Sequence, residues 1–101
     1  MEQIRTPSVR RLCQAMAALT TPEDCAKFLE DLCTIKEVQD MAQRLDTAVL
    51  LDSGMNYQSI SKKVGVSTAT ISRVSRCLNY GSGGYTTVIE RLGNEGKKND
   101  G

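Results

Sequence analysis

Between Asn56 and Tyr80 the chain reads NYQSISKKVGVSTATISRVSRCLNY, and the spacing of small, glycine and branched residues in it leaves few folds open. Ile60 and Val64 recur at helical spacing, as do Ile71, Val74 and Leu78, with Gly65 and Val66 between the two sets. Two short helices meeting at a tight turn need a small residue where they touch, a residue tolerant of positive φ in the turn, and a branched apolar anchor in the second helix. Ser61, Gly65 and Ile71 supply these in that order, while Asn56 and Ser67 are suitable caps for the two helix starts. The spacing therefore predicts a helix-turn-helix, with Val66 as the apolar residue just past the turn.

The same segment carries Lys62, Lys63, Arg73 and Arg76 and no acid, although the whole chain has 12 acids against 13 bases. The net charge of +1 hides a segregation: residues 23–52 sum to −5 and residues 53–81 to +4. When Ile71, Val74 and Leu78 turn inward, Ser67, Thr68, Ala69, Ser72, Arg73 and Arg76 are left near the opposite face. Short side chains at the helix start let it approach a duplex closely, and guanidinium groups further along reach phosphates or a guanine edge, where a carboxylate would be repelled. The candidate DNA contacts are Gln58 and Lys62 from the first helix and Ser67, Thr68, Ala69, Thr70, Ser72, Arg73 and Arg76 from the second. An ordinary solvated face is the bland reading of these charges, and their coincidence with a complete helix-turn-helix pattern argues against it. Docking of the same basic pair on an acidic protein surface is the alternative function; sequence-dependent binding to DNA fragments separates the two.

The rest of the chain shows helical periodicity and no convincing strand. After Pro7, with a cap expected at Ser8, Val9, Leu12, Cys13, Met16 and Leu19 form one stripe. Thr21 followed by Pro22, Glu23 and Asp24 marks a second helix start. TIKE, residues 34–37, is a capping box opening a long third helix with Ile35, Val38, Met41, Ala42, Leu45 and Val49 on one face and an end near Ser53 and Gly54. Gly81 is the expected stop of the recognition helix and residues 82–84 a flexible joint. TTVIERL then offers a last small helix through Val88, Ile89 and Leu92, and Tyr85 is expected to pack against the body. Residues 93–101 are expected to form a disordered polar tail behind a single domain, 1–92. Stripes this short or narrow, in a chain of 101 residues, suit a core shared between two copies.

Several function classes drop out. No apolar run reaches the ~18 residues needed to span a bilayer, and the N-terminus lacks a secretory core, so the chain is expected in the cytoplasm and away from membranes. Cys13, Cys25, Cys33 and Cys77 have no CxxC spacing, and the chain contains no His, so neither a zinc site nor a Cys–His nucleophile can be assembled. The cysteines are expected as buried, reduced thiols, with a redox switch at Cys13, Cys25 or Cys33 as the alternative. There is no phosphate-binding glycine loop and no paired carboxylate suited to a cleft, so the chain does not read as an enzyme, and no cofactor or metal is expected.

The segment from Thr34 to Leu78, with GMNYQSISKKVGVSTATISR at its centre, resembles the Trp repressor superfamily. The fuller string ATISRVSRCLNYGSGGY, followed by ERL, is most similar to the YerC/YecD group of Trp-repressor-like proteins, found in bacteria. The resemblance runs from the first helix to Leu92. It implies an all-α fold of about six helices, an intertwined homodimer, and two recognition helices presented to successive major grooves of a near-palindromic operator in double-stranded DNA. Trp repressors hold tryptophan beside the recognition helix with two arginines, a glycine and a serine. Here Arg73 matches one arginine, Gln43 stands at the place of the other with Arg44 on a different helical face, Val74 replaces the glycine and Cys77 the serine. The implied pocket of Gln43, Arg73, Val74 and Cys77 is thus expected not to take tryptophan, leaving a sequence-specific homodimeric transcriptional regulator, a repressor by resemblance, that binds DNA without that corepressor, with a regulator answering to a different, smaller ligand held by Arg73 and the Cys77 thiol as the alternative.

Overall fold

A computed structural model describes the backbone of residues 5–100 and the side chains of residues 5–93. Among the described residues there are six helices and no strand: α1 (Pro7–Ala17), α2 (Pro22–Leu32), α3 (Ile35–Asp52), α4 (Tyr57–Val64), α5 (Thr68–Tyr80) and α6 (Gly84–Asp100). The chain divides into two compact units, Met1–Val38 and Gln39–Gly101.

The first unit holds α1, α2 and the opening turn of α3. Each helix starts where a side-chain oxygen satisfies a backbone donor that the helix itself cannot. Thr21 Oγ1 accepts the Asp24 N–H at 3.1 Å with Pro22 at the first helical position. At α1 the cap is Thr6, whose Oγ1 accepts the Val9 N–H at 3.2 Å, and not Ser8. Proline belongs at the first helical position, which makes the residue before Pro7 the cap. The capping box of α3 is formed in both directions: Thr34 N–H donates to Glu37 Oε1 at 2.8 Å and Glu37 N–H to Thr34 Oγ1 at 3.1 Å. No residue of α1 or α2 is buried within the chain.

That exposure corrects the expectation for the thiols. Cys13 and Cys77 are exposed and Cys25 and Cys33 half-buried; an apolar stripe alone does not place a thiol in a core.

The second unit carries the core: Thr47 and Ala48 from α3, Ile60 from α4, and Ile71 and Val74 from α5. Helix α4 packs on α5, and α5 on α6. Ile60, Ile71 and Val74 are the inward residues that the sequence predicts, with Val64 and Leu78 half-buried. On α3 the sequence reading chose a different face. Met41 and Val49 are exposed, whereas Thr47 and Ala48 are fully buried, with the Thr47 hydroxyl donating to the Gln43 carbonyl at 2.8 Å. Two faces share this helix: the one bearing Thr47 and Ala48 is fully buried, while on the predicted stripe Val38 and Leu45 are half-buried and Met41 and Val49 exposed.

Helix α3 ends at Asp52, and Gly54 just beyond it takes the left-handed conformation expected of a helix stop, φ 91°. Helix α5 stops at Gly81 with φ −84°, where an added Cβ would run into the Cys77 carbonyl oxygen. The left-handed residue of that joint is Gly83, φ 87°. Tyr85 is half-buried, in keeping with packing against the body. The backbone of α6 runs past Leu92 to Asp100; of the tail expected over residues 93–101, the side chains from Asn94 on, and Gly101, lie outside the described residues.

The capping box yields a pH signature. The Thr34 backbone N–H, and after it the Thr34 hydroxyl, hold the Glu37 carboxyl below its ordinary value of 4.5. A depressed carboxylate contributes stability above the unfolded-state value and loses it as the pH falls through the folded-state value. Thermal melts of the native chain and Glu37→Gln should therefore differ at neutral pH and converge as the pH drops below 4.5.

Candidate nucleic-acid interface

The basic face is built by a short turn held at three points. Asn56 Oδ1 accepts the Ser59 N–H at 2.9 Å and starts α4. Gly65 ends it with φ 83° and ψ 30°, its N–H donating to the Ser61 carbonyl, a left-handed conformation in which a side chain is strained. Ser67 restarts the chain as the cap of α5: its Oγ accepts the Thr70 N–H at 3.2 Å and donates to Thr70 Oγ1 at 3.1 Å.

A further bond was not anticipated. The Ser61 hydroxyl donates to the Val66 carbonyl at 2.7 Å, half-buried, across the turn. The sequence marks Ser61 only as small; an alanine would meet that requirement equally. The hydroxyl adds a direct tie from α4 to the residue just past the left-handed glycine.

With Ile71 and Val74 buried, the outward side of α5 is set by helical geometry. At about 100° per residue, Ala69, Arg73 and Arg76 fall on one stripe roughly opposite the buried pair, and all three are exposed. Thr68 and Ser72 flank this stripe on one side, and Gln58 and Lys62 are exposed on α4. Thr70 departs from this group. It is half-buried, its hydroxyl is engaged by Ser67, and it lines a cleft instead of the outward stripe.

The cleft has a volume of about 360 Å³ and lies between α3 and the turn–α5 segment; its lining includes Gln43, Arg44, Thr70, Arg73 and Val74, with Asp40 at α3. Of the pocket residues expected from the resemblance, Gln43, Arg73 and Val74 come together here, and the exposed Cys77 is not in the lining. Arg44 is. It stands one residue from Gln43, about 100° round the helix, and precedes Thr47 and Ala48 by one turn. Two guanidinium groups and one carboxylate therefore line the same cleft. Val74, only 3% exposed, contributes an apolar wall.

This helical arrangement has counterparts. The family model described as Trp repressor protein matches residues 7–93. The chain belongs to the Trp repressor family. It is 42% identical over 92 residues to the uncharacterized protein YerC of Bacillus subtilis (strain 168), covering 91% of this chain and 88% of YerC. The crystal structure of a TrpR-like protein from Eubacterium eligens ATCC 27750 superposes with a TM-score of 0.87 at 44% identity, over 92% of this chain and 96% of that one. The all-α fold read from the sequence is thus the fold of Trp repressor relatives.

The turn makes a prediction for stability. Ser61→Ala keeps the small residue but leaves the Val66 carbonyl without its donor, which should cost about 1 kcal/mol. Gly65→Ala should cost ~1–2 kcal/mol by forcing a side chain into the left-handed region. Chemical denaturation of the two variants measures both.

Proposed function

We propose that this protein is a sequence-specific DNA-binding transcriptional regulator that works as a homodimer through the α4–α5 helix-turn-helix, and that it represses by occupying its site. The observation that carries the reading is the stripe of Ala69, Arg73 and Arg76, exposed on the side of α5 away from Ile71 and Val74, within a segment that has four basic residues and no acid. The start of α5, with Ser67, Thr68 and Ala69, is slim enough for the helix end to approach base edges. Thr68, Ala69 and Ser72 then set base preference, and Gln58, Lys62, Arg73 and Arg76 hold the sugar–phosphate flanks. Thr70 serves this surface indirectly, by fixing the cap. Membership of a regulatory family supports a binding protein over an enzyme, and the cytoplasm, where its DNA lies, is its expected place.

The dimer is supported by what the chain leaves uncovered. Leu12, Met16, Leu32 and Ile35 in the first unit, and Met41, Val49, Val88 and Leu92 in the second, are all exposed. Exposed apolar surface on this scale marks an interface, and a second copy supplies the matching stripes. Two recognition helices related by a two-fold axis read a near-palindromic site.

A second reading concerns regulation. Arg44 and Arg73 on one cleft are suited to a small-molecule effector bearing an acidic group. Tryptophan is not that effector in our reading: where the family keeps a glycine to admit the indole, Val74 adds three carbons, and such overpacking typically costs ~1–3 kcal/mol.

Fluorescence titrations of bound genomic fragments over a salt series test the DNA surface. Arg76→Ala and Lys62→Ala should weaken binding to all sequences and reduce the slope of log affinity against log salt by ~0.9 per phosphate contact, roughly twice that for a dimer. Adding L-tryptophan to the same titrations should leave the affinity unchanged. An Arg73/Arg76 double alanine variant that binds like the native chain overturns the assignment. Thermal midpoints should rise with protein concentration, as for a folded dimer that melts to unfolded monomers; a concentration-independent melt with a monomer mass in sedimentation contradicts the dimer.

A further inference from the structure

Tyr80, the last residue of α5, is 87% exposed. Tyrosine joins a large apolar ring to a polar tip, a combination that is characteristic of interfaces with one dry and one wet side. Its neighbours do not occupy it: the Asn79 side chain folds back to the Ser75 carbonyl and hydroxyl at 2.9 and 3.3 Å, and Gly81 follows with no side chain.

Its position on the helix says what the ring faces. Tyr80 stands four residues after Arg76, seven after Arg73 and eleven after Ala69, so it continues the stripe opposite Ile71 and Val74. That stripe is the surface assigned above to DNA, and the present inference rests on that assignment. Eleven residues of α-helix advance about 16 Å, which exceeds the ~12 Å width of the major groove. For a helix that enters the groove N-terminus first, as the slim start of α5 suits, Ala69 lies at the base edges and the end of the stripe meets the sugar–phosphate wall.

We propose that Tyr80 is a further DNA contact, its hydroxyl donating to a backbone phosphate flanking each half-site while the ring packs beside Arg76 over the sugar edge. The contact is chemically distinct from those of Arg73 and Arg76. A neutral phenol gives the phosphate a hydrogen bond but displaces no counterion, so it adds affinity without adding salt dependence. It also carries no base information, so its contribution is the same for operator and random sequence.

The test uses the full chain and the same duplexes. Tyr80→Phe removes only the hydroxyl and should weaken binding by about tenfold per contact, and so roughly a hundredfold for a dimer that makes two, on specific and non-specific duplexes alike, as expected for a hydrogen bond to a charged acceptor. The salt slope should match that of the native chain, in contrast to the flattened slope of Arg76→Ala. Replacing the flanking phosphate by an uncharged methylphosphonate should abolish the difference between Tyr and Phe. Native affinity in Tyr80→Phe overturns the proposal. So does a Tyr80→Ala chain that sediments as a monomer, which would assign the ring to the contact between copies. If the native chain and the Arg73/Arg76 double variant bind duplex equally, the DNA assignment itself falls and takes Tyr80 with it; the Tyr80→Phe result alone leaves that assignment standing.

Discussion

A left-handed residue at position 65 decides the direction in which α5 leaves α4. Without it the chain would carry α4 onward or splay the two helices apart, and Ile60 would not meet Ile71 and Val74. Glycine makes the conformation inexpensive, but it does not by itself hold the angle, because a residue without a side chain is also the freest in the unfolded chain. The hold comes from the hydrogen bonds on either side: Gly65 N–H to the Ser61 carbonyl at 2.9 Å and Ser61 hydroxyl to the Val66 carbonyl at 2.7 Å. One serine thus serves the turn twice, through its backbone and through its side chain. The outward aim of Arg73 and Arg76 follows from it.

A second constraint is the shape of the apolar pattern on α3. An 18-residue helix with a single buried stripe would finish its packing inside one chain. Here Thr47 and Ala48 face the core of the second unit while Met41 and Val49 remain in water. The same helix places Arg44 in the cleft that Arg73 of α5 also lines. A molecule bound between Arg44 and Arg73 would touch α5 directly, and would bias its position only to the extent that it binds one arrangement of that helix better than another.

Much of the local structure was legible before any coordinates. Thr21, Thr34, Asn56 and Ser67 each cap the helix they were expected to cap, since a short polar side chain before an apolar period has one strong local use. Gly65 and the inward trio of Ile60, Ile71 and Val74 could be read for the same reason: the turn and the two helices are adjacent in sequence. The errors share a cause as well. Ser8 was preferred to Thr6 although proline at the first helical position pointed to the residue before it. The exposure of Cys13 and Cys77 has a related origin: an apolar stripe need not be covered by its own chain.

By itself the sequence determined the helices, their caps, the left-handed turn and the basic character of residues 53–81, all of which depend on interactions within a few residues. Only the tertiary structure decided which of two apolar faces of α3 is covered by the chain, that Arg44 joins Gln43, Arg73 and Val74 on one cleft, that Thr70 is spent on the cap of α5, and that Ser61 closes the turn with its hydroxyl. Those outcomes turn on which face of one helix meets another and on where a side-chain oxygen finds its partner. Periodicity along the chain says that a face is apolar; it carries no information about what comes to cover it.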